Sequence, residues 1–344
     1  MSGTISKTTI TDIAHELNIT ASTVSRALSG HAAISKATKN AVHKTAKKLN
    51  YHPNRLASSL RLGTSKIIGV IIPSAEINFF GSVVHGIEKI ASERDYNVLL
   101  FQSNEQVEFE KKGVTTFLRS RVDGVFASIS KETTNLDHYK ELKNRGIPLV
   151  LFDRASDDLE VPSIVIDDYK GAFVATTHLI KQGCNHIAHI AGPRHIPIFK
   201  ERLKGYKDAL KNAGISYNEN LLIYGLVTVE SGRSCMQQLL TANKNIDAVF
   251  AVEDFTALGA LQCLKEEGKK VPGEVCLIGF ANEAFGRYIT PSLSTVNQQT
   301  TKMGEEAAKL FFRLVENKNF YNANTAKIVL EPELIIRESS NRNQ

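Results

Sequence analysis

From Ile67 to Phe280, short apolar runs alternate with amphipathic stretches, and this alternation restricts the fold more than any other feature of the sequence. Strand-like runs cover 67–72, 98–102, 122–129, 149–152, 164–167, 186–191, 221–224, 248–252 and 276–280. Helical patterns lie between most of them, the first over 80–91. Alternation of this length predicts an α/β fold with parallel sheets. About ten strands are many for one open sheet, so two similar lobes are expected. Ligands in such folds sit outside the carboxyl ends of the strands.

A chain of 344 residues has room for a second element beside this body. Its charge shows where. Residues 1 to 66 hold ten Lys/Arg against two acids, a net +8, within a total of only +6. A small basic head on a slightly acidic body is the footprint of a nucleic-acid binder, with affinity expected to fall steeply as salt rises.

Within the head, Ile10, Ile13, Ala14 and Leu17 share one helical face, and Thr9 with Asp12 resembles a capping arrangement. Asn18-Ile19 breaks the pattern, and Thr20 can cap a second helix with Val24, Ala27 and Leu28 inward. Ala21, Ser22, Ser25 and Arg26 then face outward, which fits a helix-turn-helix with a recognition helix slim enough for a major groove. Arg26 can pair bidentately with guanine, and Ser22, Thr23 and Ser25 suit bases or phosphates. Thr11 is counted with them as a DNA contact. A third helix follows Ser35, with Ala41, Val42, Thr45, Ala46 and Leu49 on its inner side. The next stretch, 54–63, has Asn54 as a cap, Gly63 as a stop and three leucines, and reads as a helix of barely two turns that needs a partner surface to fold.

The segment T-I-T-D-I-A-H-E-L-N-I-T-A-S-T-V-S-R-A-L-S-G, followed by L-N-Y-H-P-N-R-L-A-S-S-L, resembles the head of the lactose-repressor (LacI/GalR) family. The resemblance implies that 54–62 is a hinge helix that folds in the minor groove, contacting DNA through Asn54, Ala57 and Leu60. Leu60 would wedge into the central base step. It also implies base reading by Ala21, Ser22 and Arg26. Because the first two are small, sequence preference would lean on Arg26, the hinge and DNA shape.

The body resembles the same family through such stretches as I-I-G-V-I-I-P, G-I-P-L-V-L-F-D-R, D-A-V-F-A-V-E-D-F-T-A-L-G-A and P-S-L-S-T-V-N-Q. This implies a periplasmic-binding-protein-like body of two parallel-sheet lobes, joined by three crossings near 166, 293 and 326, with the effector in the cleft. The expected organisation is a small all-α helix-turn-helix head over 1–53, a hinge and linker over 54–65, and an effector-binding and dimerisation domain over 66–340. The N-lobe would hold 66–166 and 294–326, and the C-lobe 167–293 and 327–340.

Effector-site candidates follow strand ends. Asn78, Phe79 and Phe80 come after the first strand, where an aromatic face can stack on a ring or simply pack in the core. Asp153 can accept sugar hydroxyls or pair with Arg154. Arg202 stands in the family's effector-contact position, where its planar fork suits vicinal hydroxyls or a carboxylate; the alternative is a surface pair with Glu201. Glu253 replaces a common Asn, beside Asp254, which suits an N-cap. Ala281 replaces a usual effector-binding Asp and precedes Asn282, which speaks against a simple neutral hexose. Gln298 can bond ligand or satisfy the crossing backbone.

Four scattered cysteines imply neither disulfides nor zinc, and His186 and His189 read as core residues. Walker, G-x-S-x-G, H-E-x-x-H and dinucleotide-binding patterns are absent, so no catalytic residue, metal or cofactor is expected. No apolar run approaches the ~20 residues of a membrane helix, and Met1–Lys7 is polar, so the expected place is the cytoplasm, at the nucleoid. The expected function is a repressor that binds a palindromic double-stranded operator as a homodimer under a sugar-like effector. A dimer is preferred because no C-terminal leucine heptad follows the body. The competing readings are a binding or transport protein without regulatory function and a sugar-processing enzyme fused to a DNA-binding head.

Overall fold

The computed structural model describes residues 8–51, 64–243, 245–317, 320–321 and 326–342. The chain forms two compact units, divided between Ser65 and Lys66.

The first unit contains α1 (Ile10–Glu16), α2 (Ala21–Leu28) and α3 (Lys36–Lys48). Ile13, Ala14, Val24, Ala27, Val42 and Ala46 form its core. Ala41, expected on the inner side of α3, is exposed; the buried stripe runs through Val42, Thr45 and Ala46 instead. Local capping sets the helix starts. Thr9 donates through N–H and Oγ1 to the Asp12 carboxylate at 2.7 and 2.8 Å. The Thr20 and Ser35 hydroxyls accept the Thr23 and Thr38 amides, each at 3.1 Å. Thr20→Ala should cost the head about 1 kcal/mol. Native-state hydrogen exchange of the Val24 and Ala27 amides should then speed up about fivefold; unchanged exchange would remove Thr20 from the cap.

The second unit begins with β1 (Ile67–Ile72), α4 (Asn78–Ser92), β2 (Asn97–Gln102), α5 (Val107–Ser120), β3 (Gly124–Ala127), α6 (Asp137–Asn144), β4 (Leu149–Phe152) and β5 (Ser163–Ile166). It continues with α7 (Asp168–Lys181), β6 (Ile187–Ala191), α8 (Pro197–Asn212), β7 (Leu222–Tyr224), α9 (Val229–Ala242), β8 (Ala248–Ala251), α10 (Asp254–Glu266) and β9 (Cys276–Ile278). Last come β10 (Thr295–Asn297), α11 (Thr300–Glu316), β11 (Lys327–Leu330) and β12 (Glu333–Ile335).

Among the described residues two parallel sheets result, ordered β11-β5-β4-β3-β1-β2 in the N-lobe and β7-β6-β8-β9 in the C-lobe. Both reverse strand order beside their first strand, between β1 and β3 and between β6 and β8, and such switch points open a crevice at the carboxyl ends. The antiparallel pair β10–β12 joins the C-lobe through bridges Ile278↔Ser294 and Ala281↔Asn297.

Strand pairing corrects two of the three expected crossings. Residues 294–297 pair within the C-lobe, whereas 327–330 pair with β5 of the N-lobe. The crossings therefore lie at 166–167, 298–299 and 331–332. The sequence pattern named no strand after Phe280, because β10 and β12 are three residues long and carry no period, and β11 is a four-residue strand that is only partly buried. Helix α11 packs on α4 at backbone contact. A Cβ on Gly304 would lie 2.0 Å from the Val83 carbonyl oxygen, and one on Gly86 2.2 Å from that of Thr301.

Candidate functional site

The carboxyl ends of both sheets face one cleft with roughly 520 Å3 of open space, part of it open to solvent. From the N-lobe come Ile77, Phe79 and Phe80 at the start of α4, Lys131 after β3, and Asp153 and Arg154 after β4. The C-lobe contributes Ile198, Phe199 and Arg202 of α8, Val227, Glu253, Phe255 and Ala281, and the crossing contributes Gln298. Three of these hold left-handed backbone: Asp153 (φ 58°), Val227 (φ 62°) and Ala281 (φ 145°). Such strain is most costly for β-branched Val227 and clusters where function over-determines the chain.

The cations are already engaged. Arg202 is 2% exposed and lies over the Phe280 ring at 3.6 Å. Its Nε and Nη2 donate to Asp168 Oδ1 at 2.8 and 2.7 Å, and Nη1 to the Val252 carbonyl at 2.7 Å. Burial pushes the Asp168 carboxyl up to about 6, against the pull of Arg202. Arg154 forks onto Glu105 at 2.7 and 3.0 Å, with Lys131 beside it at 3.5 Å. Burial raises Glu105, but Arg154 and Lys131 outweigh it and hold the group below its usual range. Asp153 takes Ser128 Oγ at 3.2 Å and Arg154 Nε at 3.5 Å, both on Oδ2, and burial lifts its carboxyl. The lobes are bridged by Phe79 N–H, which donates to Glu283 Oε1 at 3.2 Å, and by His195 Nε2, which meets the Lys131 carbonyl at 2.8 Å.

Of the sequence-predicted effector residues, Phe79, Phe80, Asp153, Arg202, Glu253 and Gln298 line the cleft. Asn78 and Asn282 do not. Asn78 is exposed at the first position of α4, one step round the helix from Phe79. Asn282 turns away, its Oδ1 accepting Arg337 Nη2 at 2.7 Å, and leaves its place to Ala281. Arg202 pairs with Asp168 rather than Glu201. Glu253, not Asp254, caps α10, and Asp254 instead bonds the Glu283 amide and the Thr295 hydroxyl. Sequence reasoning missed Phe199, Phe255 and Lys131. Phe199 had a signal, since it stands three residues before Arg202 on the same helix face.

In the head, α2 presents Ser22 and Arg26 to solvent, with Ala21, Thr23 and Ser25 half-buried. Thr11 is exposed on α1. The Thr23 hydroxyl is shared with Thr20 at 2.9 Å. Asn54, Ala57 and Leu60 lie outside the described residues. His189, by contrast, is buried within β6, its Nδ1 on the Phe250 carbonyl at 2.8 Å.

Residues 9–54 match the family model for bacterial regulatory proteins of the lacI family, and 176–340 match a periplasmic binding protein-like domain. The ribose operon repressor of Halalkalibacterium halodurans is 31% identical over 97% of both chains. The HTH-type transcriptional repressor CytR of Escherichia coli K12 is 33% identical over 96% of both. Among solved structures, the transcriptional regulator CelR–cellobiose complex superposes with a TM-score of 0.73 at 30% identity, covering 97% of this chain and 100% of the other. A capped helix-turn-helix, two parallel-sheet lobes and full-length likeness to such repressors agree: this chain belongs to the lacI family of bacterial regulatory proteins and is a DNA-binding regulator of transcription.

Proposed function

We propose that this protein is a repressor that binds a palindromic operator as a homodimer in the cytoplasm and is controlled by a small sugar-like or ring-containing effector held between its lobes. The observation that carries this reading is Gln298. It is 4% exposed, lines the cleft, and its Oε1 has no hydrogen-bond partner among the described residues. A buried acceptor left unpaired is costly, and a bound molecule that donates to it removes the cost. The strained backbone at Asp153, Val227 and Ala281 supports the same reading, as do relatives named for ribose and cellobiose. Exposed Leu100 on edge strand β2, with Leu226 and Tyr288 on the C-lobe, offers apolar surface to a second subunit.

In this reading Arg26 and the neighbouring α2 hydroxyls read the major groove, and Asn54, Ala57 and Leu60 contact the minor groove. The effector acts by binding the two lobe arrangements unequally, since only a difference in affinity shifts a population. The Glu283–Phe79 and His195–Lys131 bonds are the contacts such a rearrangement would remake. Selection of binding sites from random duplexes should return a palindrome, with affinity falling steeply between 50 and 200 mM salt, the range over which multiple phosphate contacts cost orders of magnitude. Recovery of no operator would sink the proposal. A thermal-shift screen of sugars, sugar acids and nucleobases, followed by operator binding with each hit, tests the effector and gives the sign of its control.

A further inference from the structure

The charges of the cleft do not balance, and the imbalance falls on Glu253. The guanidinium of Arg202 is spent on Asp168 and the Val252 carbonyl, and Arg154 and Lys131 on Glu105 and Asp153. Among the described residues the Glu253 carboxylate accepts only the Phe255 N–H, at 2.7 Å through Oε2, and pairs with no cation. Two buried carboxylates stand near half-buried Glu253, Asp254 on its own helix and Glu283 after β9. Burial, Asp254 and Glu283 push the Glu253 carboxyl well up, and Arg202 opposes them last and least.

The cleft oxygens with bonding capacity left share one character. Among the described residues Gln298 Oε1 is buried and unbonded, Asp153 bonds only through Oδ2, and Glu253 only through Oε2. All three oxygens accept once Glu253 is ionised, the state that an ammonium bound beside it favours. The walls between them are apolar, with Phe79, Phe80, Phe199 and Phe255 among them. A ligand hydroxyl brings one hydrogen and two lone pairs that need donors of their own. An amino group brings two or three hydrogens, and as an ammonium it makes no demand as an acceptor. A positive or N–H-rich group also answers an unpaired carboxylate, and bonds to charged groups are the stronger ones.

We infer that the effector carries an amino group seated on Glu253, on a ring whose faces lie against the phenylalanines. The inference rests on the cleft being the effector site. The amino group has two chemical sources, the ammonium of an amino sugar and the exocyclic amine of a nucleoside. Matched pairs separate them: glucosamine against glucose, adenosine against inosine, cytidine against uridine, each differing at an amino group replaced by oxygen.

Titration calorimetry of the full-length protein should show at least one amino compound binding about tenfold tighter than its oxygen twin, which corresponds to about 1.4 kcal/mol. Glu253→Gln keeps an oxygen to cap Phe255 N–H but loses the charge, and it should bring that ratio to near unity. An ammonium ligand should also release a proton from Glu253, seen as binding heat that varies with the ionisation enthalpy of the buffer; an exocyclic amine should not. Oxygen twins that bind as well as their amino partners would overturn the inference on the wild-type protein alone, whether or not the variant folds. An unchanged ratio in Glu253→Gln would overturn it too. If none of the six binds but an amine-free sugar does and alters operator binding, the amino inference falls and the effector reading stands. If no sugar, sugar acid or nucleobase binds at all, the effector reading falls with it.

Discussion

Replacing Arg202 with alanine is expected to lower the unfolding free energy of the body by about 3–5 kcal/mol, the cost of stranding one partner of a buried ion pair. Asp168 is the group stranded. It is buried, and Arg202 supplies both of its close charged contacts, at 2.7 and 2.8 Å. The substitution also frees the Val252 carbonyl and removes the cation from the face of Phe280. The deficit should depend on pH. The Asp168 carboxyl stands at about 6 in the folded protein against an ordinary 3.8. A raised acid contributes stability below its unfolded value and loses it as pH rises through the folded value. Without Arg202 the folded value climbs further, so the deficit should be largest near pH 7 and shrink towards pH 5. Urea midpoints at the two pH values measure it; a loss under 1 kcal/mol, or one that grows on acidification, would refute the buried-pair account. Arg202→Lys keeps the charge without the fork, and is the better variant for asking whether effector response can be lost in a folded protein.

Arg26→Ala is expected to weaken binding to the preferred operator by about 1–3 kcal/mol, or roughly 5- to 150-fold, and to relax choice at one base position. The side chain is exposed on the outer face of α2, clear of the Val24–Ala27 core, so the change should leave the head folded. Anisotropy titrations on the operator and on single-base variants separate two roles. A base reader loses affinity mainly on the preferred sequence; a phosphate contact loses it evenly and lowers the salt slope by about one. Even loss would place specificity elsewhere, on the hinge and on DNA shape.

The parallel lobes were legible because buried strands write themselves as apolar runs. Residues 67–72 and 149–152 are strands over the spans their pattern marked. The helix caps at Thr9, Thr20 and Ser35 were legible too, because a cap is a contact between residues three apart. The last crossings were not. Whether 295–297 and 327–330 join one sheet or the other depends on partners beyond the reach of a local pattern: Ile278 and Ala281, 16 residues before their bridge partners, in one case, and β5, 164 residues earlier in the chain, in the other. The cleft divides along the same line. Strand-end position sufficed to bring Phe79, Asp153 and Glu253 to it, but the side-chain directions of Asn78 and Asn282 turn on a helix phase and on Arg337.

By itself, then, the sequence determined the local matters: the basic head, the capped helices, the α/β alternation and the family. Each rests on residue type and short spacing. Only the tertiary structure decided that Arg202 answers Asp168, that Gly86 and Gly304 let two helices touch, and that Glu253 faces the cleft without a cation. Those outcomes depend on which groups burial leaves together and which it leaves unpaired. A carboxylate's partner is chosen by proximity in a medium of low dielectric constant, and proximity between residues 34 or 204 positions apart is a property of the fold.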